Sequence, residues 1–395
     1  MSVTASTILP DVINTSSPMD ANSSSSELGH PAAPAGCLLL LTQDFVPWDN
    51  PHNLIGMEFA RLVSRAKACY ILPVLFLVGF PTNCINMAVF YRQGLKERVS
   101  LCLFALSFAD LVYGFISTLL YGDQFIAQFT GAQVRFGPLF TFIIRHRLNV
   151  LYGFAWASMF MSAVIASDRC FCILYPFRSK SFLSARATAA IIVTAFVVIL
   201  GGYVIVLFRY DTICVYNPIT NATTIEVSQT SEFYRENKEL VNQMDNVVYG
   251  VVTVGIFISV VTVATTITAV KLRQVATWRE GTSSCTTSAR EVALTRMLVS
   301  ASVLFVVCYS PKFLFGFVCV FIPEMNAGRK FHNTFLMCTS LIEIMSAINS
   351  SVNFFIYYRL GSRYREVFWE MFRREKKSAN SLIKSNMDTT NSAVD

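Results

Sequence analysis

The sequence predicts an all-α membrane protein: a bundle of seven transmembrane helices, N-terminus outside, with an amphipathic helix after the seventh span. Three observations predict it. The 395 residues are 53% hydrophobic and 14% charged, whereas soluble domains carry roughly 25% charge. The apolar residues gather in seven runs, near 69–92, 100–122, 147–174, 187–208, 245–270, 296–321 and 333–357. A helix needs about 20 such residues to cross the hydrocarbon layer. Basic residues cluster beside alternate span ends: Arg92, Lys96 and Arg98; Arg178, Lys180 and Arg186; Lys271, Arg273, Arg279 and Arg290; and Arg359, Arg363, Arg365, Arg373 and Arg374. Positive charge marks the cytoplasmic side, so the C-terminus is inside. The same clustering argues against reading the net charge of +7 as a nucleic-acid footprint.

The elements follow in order. Residues 1–66 are Ser-, Pro-, Ala- and Asn-rich, which predicts a mostly disordered extracellular segment, with glycosylation sequons at Asn14 and Asn22. Within it, 52–68 suits a short helix leading into the first span. No basic stretch followed by an apolar one opens the chain, so the first span is expected to serve as the targeting signal. The seven-span body then occupies 67–358. Between the second and third spans lies FIAQFTGAQVRFGPLF, followed by Arg145-His146-Arg147. The polar segment 209–243 carries a third sequon, Asn221, and CVYNPITNATTIEV reads as a hairpin around Asn217-Pro218. Asn349 also begins a sequon, but inside the seventh span and out of reach. Loop 274–290 is short and Ser/Thr-rich. In 359–376, Tyr364, Val367, Phe368 and Met371 fall at i, i+3, i+4 and i+7 among basic residues, an amphipathic helix suited to the inner membrane surface. Residues 377–395 are Ser/Thr/Asn-rich and read as a disordered cytoplasmic tail. Cysteines in or near spans act as small apolar packers. Cys37 and Cys214 lie outside, with Cys69 at the outer edge of the first span; a disulfide there has no connectivity that spacing determines. No internal repeat or matched pair of broken spans marks a transporter.

Ionisable and polar residues inside spans are functional candidates. Asp110, midway along the second span, costs about 3 kcal/mol on insertion scales, so partners are expected at its depth: Asn83, Ser158, Asn349, Ser350 and Asn353. They form either an ordinary hydrogen-bond network or a sodium site, since hard cations favour oxygen. Three helical stripes can be drawn. The third span has Arg147, Leu151, Phe154, Ser158, Ser162, Ile165 and Arg169 on one face; the sixth has Phe305, Tyr309, Lys312 and Phe315; the seventh has Glu343, Ser350 and Tyr357. Lys312 and Glu343 are expected to pair and to line an outward-opening ligand pocket, with Arg147 above and Leu151, Tyr309 and Phe315 in its wall. Pro311 is expected to kink the sixth helix. At the inner end Asp168-Arg169 closes the third span. Glu291 lies twenty residues before Pro311, about 30 Å along a helix, at the same level. An Arg169–Glu291 pair would join the third and sixth helices, at about 0–1 kcal/mol but enough to bias a two-state bundle.

These residues together resemble the rhodopsin-like G-protein-coupled receptor family over about 69–374. Asn83 in GFPTN, Asp110 in LSFADL, Asp168-Arg169 in SDRC, Pro311 in FVVCYSP, and Asn353 and Tyr357 in NSSVNFFIY stand at the family's motif positions. Cys170, Tyr309 and Phe354 replace the usual tyrosine, tryptophan and proline. The fourth span lacks the family's tryptophan and the fifth its proline. No cysteine occurs between Cys102 and Cys170, so the usual bridge from the third span to Cys214 cannot form; Cys37 is the substitute. Leu151 stands where amine receptors carry an aspartate. The NFFIY and DRCFC strings are similar to those of invertebrate neuropeptide receptors and molluscan chemosensory receptors.

The resemblance implies a plasma-membrane receptor, not an enzyme. It would couple a peptide or small chemosensory ligand outside to nucleotide exchange on a heterotrimeric G protein inside. Arg169 would contact the G protein once Glu291 releases it, Tyr357 would swing inward, and sodium at Asp110 would favour the inactive state. Arrestin would bind the Ser/Thr tail. Glu343 would receive a basic ligand group, or Arg147 and Lys312 a carboxylate; the sequence leaves both open. Two rival readings remain: a receptor-like scaffold with weakened coupling, and a transporter using Asp110, Lys312 and Glu343 as a relay.

Overall fold

The structure, a computed structural model, describes residues 37–39, 51–131, 137–176, 178, 184–208, 211–217, 222–228, 232–280, 289–326, 329–371 and 373. Among them, seven helices are long and apolar enough to cross a membrane: Met57–Gln93, Arg98–Leu120, Leu148–Leu174, Ala185–Leu207, Glu239–Gln274, Arg290–Phe321 and His332–Leu360. The first packs on the second and seventh, the second on the third, the third on the fifth, the fifth on the sixth, and the sixth on the seventh. The fourth leans on the third from outside that ring. Sequons Asn14, Asn22 and Asn221 lie outside the described residues, as does the tail 377–395. Asn349 is buried, as its place inside a span requires.

Local chemistry shapes each helix where the site is built. The expected lead-in helix is continuous with the first span, which starts at Met57. Lys67–Ile71 forms one π-helical stretch and buries Lys67, Ala68 and Cys69 consecutively; such wider turns recur at functional positions. Gly79 lets the first and seventh helices approach, because a Cβ there would stand 2.6 Å from Ser351 Oγ. Ser351 Oγ in turn donates to the Leu75 carbonyl at 3.1 Å. Pro311 removes the amide that would bond the Val307 carbonyl, and Ser310 Oγ donates to that oxygen at 3.4 Å. The sixth helix is continuous through this proline. The fifth helix, which lacks the expected proline, carries instead a π-helical segment, Gln243–Val252.

The third helix departs from the uniform stripe drawn on the sequence. The aromatic stretch before it folds into two short helices, Gly122–Thr130 and Pro138–Arg145. Arg147 then turns left-handed, at φ 55°, a conformation costly for a side-chain-bearing residue. A 3-10 turn, Leu148–Gly153, precedes the α-helix Phe154–Leu174. Arg147 is thus a corner residue and does not share the face of Ser158, Ile165 and Arg169.

The membrane bundle carries an addition on its outer side, a three-stranded sheet: β1 (Cys37–Leu39), β2 (Asp211–Asn217) and β3 (Ala222–Ser228). β2 and β3 form the antiparallel hairpin expected around Asn217-Pro218. β1 runs parallel to β2, with Cys37 opposite Cys214. At the inner end the seventh helix stops at Leu360 and a further helix covers 362–371. Its stripe of Tyr364, Val367, Phe368 and Met371 packs on Phe90, Met297 and Tyr357 of the inner core. Tyr364 is buried against the bundle, while Val367, Phe368 and Met371 keep part of their surface outside it and Trp369 is exposed.

Candidate functional site

Toward the outer end of the bundle lie two intramembrane lysines and one glutamate. Glu343 accepts from Lys67 Nζ at 2.6 Å, from the Tyr121 hydroxyl at 2.7 Å and from the Tyr152 hydroxyl at 3.5 Å. Lys67 also lies over the Tyr121 ring, 4.0 Å from its centroid. The expected Lys312–Glu343 pair is not formed. Its physical reason is local: the π-helical stretch points Lys67 inward from the first helix, and that cation takes the carboxylate. Lys312 instead sits over the Trp156 ring, 4.5 Å from its centroid. Trp156 Nε1 donates to the Tyr249 carbonyl at 3.0 Å, inside the π segment of the fifth helix. The Tyr249 hydroxyl donates to the Ile199 carbonyl at 2.9 Å. Lys312 is thus the head of a column running from the sixth helix through the third and fifth to the fourth.

The other expected pocket residues divide. Tyr309 is buried beneath Lys312's turn, its ring 4.8 Å from Phe305, and Leu151 packs against the same core. Phe315 meets Phe335 of the seventh helix at 5.8 Å. Arg147 donates to the Leu207 carbonyl at 2.7 Å and lies 5.6 Å from the Phe208 ring, which places it at the top of the fourth helix.

Mid-membrane, Asp110 has the partners its burial demands. Ser158 Oγ donates to one carboxylate oxygen at 2.6 Å and Asn353 Nδ2 to the other at 3.0 Å. Asn83 Nδ2 donates to the Ser350 carbonyl at 2.8 Å. The network continues inward through Asn86 to the Tyr364 hydroxyl, which donates to Asn86 Oδ1 at 2.6 Å. Beside Asp110 a cavity of about 20 Å³ is bounded by Asn83, Ser117 and Ser350 among others, room for one water-sized species. Ser117 Oγ is buried there without a hydrogen-bond partner. Asp110 and the Ser117, Ser350 and Ser351 hydroxyls put oxygens on a lining that is otherwise mostly apolar, and the expected ligands Ser158 and Asn353 are not part of it. Asn349 is buried one position from Ser350 but is not among the cavity's lining.

At the inner end Arg169 folds back on its own neighbour: its guanidinium donates to one oxygen of Asp168. Arg98, at the start of the second helix, stands 3.6 Å from the other oxygen. The expected Arg169–Glu291 pair is not formed; Glu291 is exposed and makes no ion pair among the described residues. Asp168 is adjacent in the chain and half-buried, so it captures the guanidinium without any helix having to move. The inner end of the sixth helix is tied elsewhere, Arg290 lying 3.5 Å from Glu366 of the terminal helix. Tyr357 is fully buried against Phe90 and Tyr364, with ring centroids 5.5 and 6.0 Å away, and its hydroxyl has no partner.

Sequence reasoning missed Lys67, Tyr121, Tyr152, Trp156, Tyr249 and Arg98. Lys67 was legible only as a lysine at the edge of an apolar run, the usual sign of a flank. Trp156, a large aromatic with a polar handle at mid-span, carried the clearest overlooked signal.

Comparison with known proteins places this geometry. The model of the serpentine type 7TM GPCR chemoreceptor Srw family matches residues 70–375. The chain is 24% identical to proteinase-activated receptor 1 of Mus musculus over 330 residues, 81% of this chain and 70% of the mouse protein. It is 25% identical to galanin receptor 2a of Danio rerio over 309 residues, 76% of this chain and 77% of the fish protein. A probable G-protein coupled receptor of Caenorhabditis elegans is 22% identical over 147 residues, 37% of this chain and 34% of the worm protein. The family match takes in the first helix from residue 70, the other six helices, the residues from Asp110 to Tyr357 and the helix beyond; Lys67 lies just before it. The chain therefore belongs to the serpentine 7TM GPCR chemoreceptor Srw family: it is a rhodopsin-like, multi-pass membrane receptor that binds an extracellular ligand and signals through G proteins, and it is not an enzyme.

Proposed function

We propose that this receptor works at the plasma membrane and takes a small chemosensory ligand in the crevice between Lys67, Glu343 and Lys312. It relays occupancy to Asp168-Arg169 through Asp110. The observation that carries this reading is the buried polar column itself: Glu343 with Lys67 at the top, Asp110 with Ser158 and Asn353 in the middle, Tyr357 and Arg169 below. A ligand does signalling work only through its differential affinity for two bundle states, and the contacts of Glu343 and Asp110 each join different helices. The family's description as chemoreceptors supports a chemosensory cue; the likeness to a galanin receptor supports a peptide as the second reading.

At the inner end the reading departs from the sequence expectation. Asp168, itself steadied by Arg98, rather than Glu291, holds Arg169 in the resting state. Release frees the guanidinium for the C-terminal helix of the G protein, and Tyr357 turns its unpartnered hydroxyl into the opened crevice. Sodium, held by Asp110 with the Ser117 hydroxyl, would add a charge to the middle of the column and favour the resting state. Cys37 and Cys214 are joined in this reading by a disulfide that pins the N-terminal strand to the hairpin. Asn14, Asn22 and Asn221 carry glycans, and the Ser/Thr tail recruits arrestin. The test is Asp168→Asn in cells at matched surface expression. Basal G-protein signalling is expected to rise severalfold; unchanged signalling would refute the role given to Asp168.

A further inference from the structure

We propose that Lys312 is the anchor for a carboxylate on the ligand, so that the receptor's natural cue is an organic or amino acid-like anion. This rests on the reading that the outer crevice is the ligand site. The two lysines of the crevice differ in one respect. Lys67 is matched by Glu343 at 2.6 Å, and Glu343 is further saturated by Tyr121 and Tyr152. Glu343 is therefore poorly placed to be the counter-ion of a basic ligand, since such a ligand must first expel Lys67. Lys312 has no carboxylate in ion-pair contact among the described residues; its close neighbour is the π face of Trp156 at 4.5 Å. Glu343, a carboxylate of the same outer group, is taken by Lys67.

An ammonium inside the bilayer without an anion in contact is expensive, and a desolvated aromatic face offsets only part of that cost. An arriving carboxylate supplies the missing partner as a charge-assisted hydrogen bond in a low-dielectric crevice. The same contact explains why occupancy would be felt by the bundle. Drawing the Lys312 ammonium from the Trp156 ring uncouples the sixth helix, one residue above Pro311, from the third and from the Tyr249 carbonyl that Trp156 holds. The Trp156–Lys312 contact is thus both a resting-state clasp and the place a ligand breaks it.

The test uses matched pairs of probes on cells expressing the full chain with a promiscuous G protein. Aliphatic and aromatic carboxylic acids, N-acyl amino acids and short peptides with free C-termini are each set beside their methyl ester or C-terminal amide. Active compounds are expected among the free acids, losing about 30-fold or more in potency on esterification. In Lys312→Gln, acid and ester should become equipotent, while Lys312→Arg should retain a preference for the acid. Surface labelling reports whether each variant reaches the membrane. Esters or amides as potent as acids on the wild type, or an acid preference that survives Lys312→Gln, would overturn the assignment. If no acid acts while Asp168→Asn signals, the ligand class is wrong and the receptor switch stands. If Asp168→Asn is also silent at full surface expression, the switch reading fails and takes this inference with it.

Discussion

Removing either half of the Lys67–Glu343 pair should destabilise the receptor more than removing both. The two groups lie 2.6 Å apart, with side-chain exposures of 5% and 23%. At an effective dielectric of 20 the attraction is about 6 kcal/mol before desolvation. Much of that offsets the cost of taking both charges out of water, so the pair contributes little net stability, whereas breaking it strands a buried charge at about 3–5 kcal/mol. Lys67→Met leaves Glu343 with the Tyr121 and Tyr152 hydroxyls and some access to water, so about 3 kcal/mol is expected. Glu343→Gln strands the less exposed Lys67 over the Tyr121 ring and should cost somewhat more. The double variant Lys67→Met, Glu343→Gln should recover most of the loss, leaving about 1–2 kcal/mol and so a coupling of about 5 kcal/mol in the double-mutant cycle. Thermal unfolding of the purified receptor in detergent, followed by cysteine-reactive dye, reads all four corners. Single variants that each cost under about 1 kcal/mol, or a double variant whose loss equals their sum, would refute the reasoning.

Two further predictions concern sites where the described contacts are incomplete. If sodium occupies the space beside Asp110, agonist affinity should fall as sodium replaces potassium at constant ionic strength, and Asp110→Asn should flatten that dependence; a sodium response that persists in Asp110→Asn removes the ion from the column. If Cys37 and Cys214 are bonded, a protease cut between the N-terminal strand and the first helix should release the N-terminal fragment only under reducing conditions. In Cys37→Ser it should come free without reductant, and identical patterns in both lanes for the wild type would dismiss the bridge.

What the sequence showed and what it concealed divide along a physical line. Span existence and orientation follow from single-residue chemistry, hydropathy and the placement of Arg and Lys, and all seven helices stand where the apolar runs put them. The partners of Asp110 were also legible, because Ser158 and Asn353 sit at depths that length along a helix determines. Which side chain meets which across helices was not. The rotation of Lys67 toward Glu343 depends on a π-helical stretch, for which spacing carries no signature. The Arg169–Glu291 pair was drawn from equal depth alone, and a carboxylate one residue away prevailed. Arg147 looked like the top of a helical stripe because periodicity cannot see a left-handed residue that ends the helix. The stripe on the terminal helix was legible, but the burial of Tyr364 against Phe90 and Tyr357 was not, since an amphipathic face reads the same whatever covers it.

In the proposed switch Arg169 is the inner terminal and Asp168 restrains it. Guanine-nucleotide exchange on a heterotrimeric G protein, measured with the purified full-length receptor in nanodiscs, tests it most directly. Asp168→Asn should accelerate ligand-free exchange, and Arg169→Ala should abolish receptor-catalysed exchange in both the wild-type and Asp168→Asn backgrounds. Exchange that proceeds at the wild-type rate in Arg169→Ala would contradict the account.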